Sequence, residues 1–170
     1  MQQTKILTIN RKKVFTLTQF TALVVVATTV PLFNQQAITG SVVNATLFVS
    51  VALLGVQNAI LVGLIPSLVA LSTGLLPPVL APMIPFIMVG NTILIMVFGY
   101  LKERNFWLGV ITASVLKFLF LFSTSSIVIN LLLKKEVATK VAMMMSWPQL
   151  LTALVGGLLA FVFLKGIRKI

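Results

Sequence analysis

Residues 106–133 read FWLGVITASVLKFLFLFSTSSIVINLLL, and a single charged side chain, Lys117, interrupts them. A surface helix in water carries a charged or polar face opposite its apolar one, and this run has no charged face. Wound as a helix at ~1.5 Å per residue it is about 40 Å long, more than a hydrocarbon core of ~30 Å requires. The reading that follows is a transmembrane helix.

Working outward, the same pattern recurs. Apolar stretches bounded by charges, prolines or polar turns lie at 14–33, 41–56, 58–76, 81–101, 106–133 and 146–164. The expected fold is therefore an all-α integral membrane bundle of six transmembrane helices, occupying residues 1–170 as one domain. The second span is short; the fifth is long enough to tilt or to end in a segment above the membrane. Composition agrees, since 59% of the residues are hydrophobic and 9% charged, where a soluble domain has roughly a quarter charged. The basic N-terminus ahead of an apolar run resembles a secretory signal, but the run from Val14 is too long for one and further spans follow, so it reads as a retained first helix.

The net charge of +11 does not point to nucleic acid, because the basic residues sit in short clusters between apolar runs, where the membrane surface reads them. With both termini cytoplasmic, Lys5, Arg11, Lys12, Lys13, Lys102, Arg104, Lys165, Arg168 and Lys169 fall inside and only Lys134, Lys135 and Lys140 outside. Tyr100, Trp107 and Trp147 fall near the expected water interfaces. Pro66, Pro85 and Pro148 lie within or near helix starts, as kinks or first-turn residues. The segment LLPPVLAP at 75–82 is too rich in proline to be helical throughout and reads as a stiff outer loop.

The chain contains no Cys and no His, and only two acidic residues, which excludes disulfides, thiolate and imidazole metal sites and leaves little for carboxylate ligation. No metal and no cofactor are expected. There is also no nucleophile with a base, no carboxylate pair and no phosphate-cradling loop, so an enzyme is not expected.

Lys117 lies near the middle of its helix with no acid in any span to neutralise it, a position that costs ~2.5 kcal/mol or more. Either it snorkels or bonds backbone carbonyls at a helix break, or the anionic group of a ligand meets it. Ser114 and Thr124 share its helical face. Asn44, Ser67, Ser72, Asn91, Gln149 and Thr152 in other spans, and Ser125 and Asn130 further along this one, fall in the middle or outer halves. Together they suggest a polar cavity opening outward under the connections at 34–40 and 75–82, although singly each is explained by helix-to-helix hydrogen bonding. The expected ligand contacts are Lys117, Ser114, Asn91, Thr124, Asn44, Gln149 and Thr152.

Small residues at four-residue spacing, Ala59, Gly63 and Ser67, and again Thr152, Gly156 and Ala160, read as internal packing faces. Thr18 and Ala22 make a shorter pair on the first helix, suited to a partner. Met143, Met144 and Met145 read as soft packing rather than a thioether metal site.

The stretch GLIPSLVALSTGLLPPVLAPMIPFIMVGN at 63–91, the basic turn KERN and the helix containing ASVLKFLFL resemble the substrate-binding S components of energy-coupling factor transporters. Size, six expected helices, inside termini and the basic start agree, over nearly the whole chain. The resemblance implies a multi-pass protein of a bacterial plasma membrane that captures a vitamin or related micronutrient from outside. It would deliver this cargo to a transmembrane coupling subunit with two ATP-binding-cassette ATPases, where hydrolysis occurs. Family members dock through Ala-x-x-x-Ala on the first helix; Thr18 and Ala22 stand at the matching place, with Val26 where a second Ala is expected. Metal-transporting relatives use His, absent here. Two other classes remain open: a stand-alone secondary transporter, for which Glu103 and Glu136 would have to serve from loops, and a ligand-free membrane assembly subunit.

Overall fold

A computed structural model of the chain describes residues 11–33, 35–72, 78–132 and 135–170. Lys5, Asn34, Lys134 and positions 75–77 of the proline-rich loop lie outside these, as do the side chains of Asn130, Lys135, Glu136 and Lys140. The elements in chain order are α1 (Arg11–Thr29), a 3-10 turn (Val30–Phe33), α2 (Gln36–Ser72), a second 3-10 turn (Pro78–Met83), α3 (Ile84–Leu101), α4 (Phe106–Leu132), α5 (Lys135–Met144) and α6 (Trp147–Gly166). Among the described residues there is no strand, as expected. Five helical stretches are long and apolar enough to cross a membrane.

The longest of the five, α2, is two helices rather than one. Gly55 has φ 79° and ψ 169°, a conformation essentially restricted to glycine. A Cβ built on Gly63 would lie 3.3 Å from Leu47 Cδ2, although in a continuous helix residues so spaced would be about 24 Å apart. The chain therefore folds back at Gly55, and the two halves pack side by side with Leu47 and Gly63 at equal distances from the bend. The apolar pattern divides the spans at residue 57, between Val56 and Asn58, two positions late; the backbone instead bends where a side chain is missing.

The prolines behave as expected. Pro85 and Pro148 sit in the first turns of α3 and α6 and Pro66 lies inside α2. Asn105 Oδ1 accepts the Leu108 N–H at 3.0 Å and so starts α4 after a tight turn. The segment between α4 and α6 is itself helical, as α5.

Packing divides the interior in two. The larger core gathers Leu47, Phe48, Val51, Val62, Leu94, Ile95, Phe98, Val110, Ala153 and Leu164, and edge-to-face rings link α2 to α3 (Phe48–Phe98, 4.8 Å) and α3 to α4 (Phe98–Phe106, 5.3 Å). A smaller cluster of Met83, Val128, Val141 and Met145 closes the opposite end, with Phe86, Ile87 and Met144 against it. Met145 is buried there and Met144 packs against it, while Met143 is exposed.

Contacts gather the basic connections at one end. Gly99 near the end of α3 packs on Val56 beside the bend, one groove brings Lys12 and Lys13 beside Asn58, and Phe161, with Lys165 over its ring, stacks on Phe106 and Trp107. At the other end, Gln36 and Gln149 both donate from Nε2 to the Met144 carbonyl, at 2.8 and 3.1 Å. α1 packs chiefly on α2.

Candidate functional site

Three of the expected residues converge on one atom. Lys117 Nζ donates to Asn44 Oδ1 at 2.6 Å and to Asn91 Oδ1 at 2.8 Å, and all three side chains are buried. Asn91 Nδ2 in turn donates to the Gly63 carbonyl at 3.3 Å. The cluster thus ties α4 to the first half of α2, to α3 and, through Gly63, to the second half of α2. It consists of side chains buried between the larger core and the methionine-lined cluster.

The approach of α6 sets the position of Asn44. A Cβ built on Gly156 would lie 2.7 Å from Asn44 Cβ and 2.8 Å from both Ala45 N and Ser41 O, so only glycine lets α6 lie against the α2 backbone here. Thr152, one turn earlier, packs on Gly40. Ala160, one turn later, is fully buried, so this small-residue stripe is internal packing, as is the one through Ala59 and Gly63.

Among the described residues the neighbours of Lys117 Nζ are two side-chain amides, partners that the sequence alone does not pair with it. A lysine at a helix centre costs ~2.5–3.5 kcal/mol on insertion scales. A hydrogen bond to a charged group contributes roughly 1.5–3 kcal/mol in water-soluble proteins and ~0.6 kcal/mol on average between membrane helices, so two bonds offset from about a third of that cost to all of it. An ammonium has three donors and no acceptor, and the two amides take two.

Ser114, one turn before Lys117 on α4, is fully buried, and its Oγ has no hydrogen-bond partner among the described residues. That sets it apart from three other buried or half-buried hydroxyls of the spans. Thr124 donates to the Phe120 carbonyl at 2.7 Å, Ser125 to the Phe122 carbonyl at 2.9 Å and Thr152 to the Gln149 carbonyl at 3.2 Å, each satisfied within its own helix. Gln149 is occupied at the far end with Met144. Of the seven expected ligand contacts, then, Lys117, Asn44 and Asn91 meet, Ser114 precedes Lys117 by one turn, and Thr124, Thr152 and Gln149 hydrogen-bond elsewhere. Gln36 is not singled out by the sequence, although it stands in a connection named as a cap; Gly156 is legible as part of a packing stripe, but nothing local marks it as lying under Asn44.

None of the seven residues lines either of two surface grooves formed by described residues. One, of about 460 Å³, is lined by Lys12, Lys13, Thr16, Leu17, Phe20, Asn58 and Leu61. The other, of about 410 Å³, is apolar and lies between α2 and α3, from Leu64 and Leu71 to Ile84 and Met88. Thr18 and Ala22 are exposed on α1, with Thr18 Oγ1 donating to the Val14 carbonyl at 3.0 Å. Glu103 is exposed in the α3–α4 turn and ion-paired with Lys102; the hydrogen bond from that lysine, then its charge, hold the carboxyl below its ordinary value. Among the described residues no group of His, Cys, Asp and Glu could hold a metal ion.

Comparison with known families, with characterised proteins and with solved structures finds no match.

Proposed function

We propose that the chain is the substrate-capturing membrane subunit of an importer of the energy-coupling factor kind, crossing the plasma membrane six times with both termini in the cytoplasm. Its cargo is a small organic micronutrient with an anionic group. The observation that carries this reading is the buried Lys117 cluster. It holds an ammonium with one N–H left for a further acceptor, beside a buried Ser114 hydroxyl that lacks a partner. Charged and unpartnered polar groups inside a spanning bundle mark ligand paths more often than they mark packing.

Six crossings are supported by the bend at Gly55, and the inside termini by the basic residues gathered at one end. Thr18 and Ala22 form the small exposed face suited to a coupling subunit, and ATP hydrolysis belongs to two ATPases bound to that subunit. The test is to purify the chain in mild detergent and identify small molecules that leave it on denaturation. The molecule found is then titrated back onto wild type, Lys117→Met and Ser114→Ala. Weakening of at least tenfold in Lys117→Met supports the reading; unchanged affinity in both variants removes it.

A ligand-free assembly subunit is the second reading, and the amide pair favours it, because Asn44 and Asn91 give Lys117 partners without any cargo. On that reading no metabolite raises the melting temperature, and Lys117→Met lowers stability alone. A proton-driven carrier has less support: Glu103 is exposed and engaged with Lys102 outside the spans.

A further inference from the structure

We propose that the groove between the start of α1 and the second half of α2 is a seat for one anionic phospholipid. Along α1 the lining changes from Lys12 and Lys13, in the first turn, to Leu17 and Phe20 deeper in the bundle; Asn58 and Leu61 repeat the change on α2. From Lys12 to Phe20 the helix rises about 12 Å. The groove is thus basic at its mouth and apolar below, the order of a phosphate headgroup followed by an acyl chain. Its volume of about 460 Å³ admits a headgroup and the upper part of a chain.

Charge selects the class of lipid. Among the described residues no acid lines the groove, and Glu103 is in the α3–α4 turn. Two lysines at one mouth favour a phosphate without a compensating choline or ethanolamine, each basic residue near an anionic membrane surface contributing about fivefold in binding. Exposed apolar residues of α1 outside the groove, Val14 and Phe15, the latter at 64% exposure, continue the greasy wall beyond it, where the second chain of the lipid would lie.

The test uses the full-length protein in neutral detergent, titrated with phosphatidylglycerol or phosphatidylcholine of equal chain length, bound lipid being counted by native mass spectrometry. Wild type is expected to retain phosphatidylglycerol preferentially. Lys12→Gln with Lys13→Gln should weaken that retention by about 30-fold and leave phosphatidylcholine unchanged, while Arg168→Gln with Lys169→Gln should change neither. Leu17→Trp, which fills the groove and keeps the charges, should also lower phosphatidylglycerol retention. Equal retention by the Lys12/Lys13 variant overturns the proposal. So does equal loss in the Arg168/Lys169 variant, which would indicate a diffuse field, or full displacement by glycerol phosphate at the lipid's concentration, which would indicate a site for free anions. Retention of a protein partner in place of lipid on the wild-type groove overturns it as well.

Discussion

Asn44 and Asn91 turn their amide oxygens onto the same atom, Lys117 Nζ, at 2.6 and 2.8 Å. Because the two amides come from different helices, the ammonium works as a cross-link between them. The energy of such a cross-link is shared, and its parts cannot be removed one at a time without leaving a buried group unpaired.

Asn44→Leu alone is accordingly expected to cost about 1–3 kcal/mol, since it strips a buried charge of one partner. The double variant Asn44→Leu, Lys117→Met should cost less than the sum of the two single changes. Denaturant unfolding in mixed micelles measures all three; strict additivity would show that the contact carries no energy.

The contact of α6 with α2 offers a sharper steric test. Gly156→Val puts side-chain atoms on the Ser41 and Ala45 backbone, which cannot yield as a flexible side chain would, so a loss of ~1–3 kcal/mol or more is expected. Gly166→Val meets nothing within 4 Å and should be near neutral in the same thermal melts. Equal losses at the two glycines would mean that α6 does not lie where described.

At the bend of α2 the constraint is conformational, not steric. Gly55 has open space around the position of a Cβ, so any cost of Gly55→Ala comes from the backbone, at about 1–3 kcal/mol. Unchanged stability would mean that the two halves join in another geometry.

A chain without cysteine lets single cysteines report sidedness. In intact cells Ser146→Cys should react with a membrane-impermeant maleimide, and Asn105→Cys should react only after permeabilisation. Labelling of both from one side would remove the six-crossing reading.

The apolar runs and their breaks were legible in the sequence because hydrophobic length and proline positions act locally. Lys117 was legible as an anomaly for the same reason, and Asn44 and Asn91 as polar residues in the middle of spans. Their meeting was not, since it depends on how α2, α3 and α4 rotate against one another, and that is set by contacts such as Gly156 on Ser41 and Asn44. The self-bonded hydroxyls of Thr124 and Thr152 looked like cavity lining because a sequence does not reveal whether a hydroxyl turns back on its own helix.

Between Gln36 and Ser72 the chain carries no charged residue, and this bears on biogenesis. A hairpin of two uncharged arms gives the insertion machinery no electrostatic cue for its direction. On the proposed six-crossing topology the arms enter together, as a passive loop whose polarity is inherited from Arg11, Lys12 and Lys13 before it and from Lys102 and Arg104 after it. Errors in those flanking signals would invert the hairpin, and with it Asn44, without altering any residue in either arm.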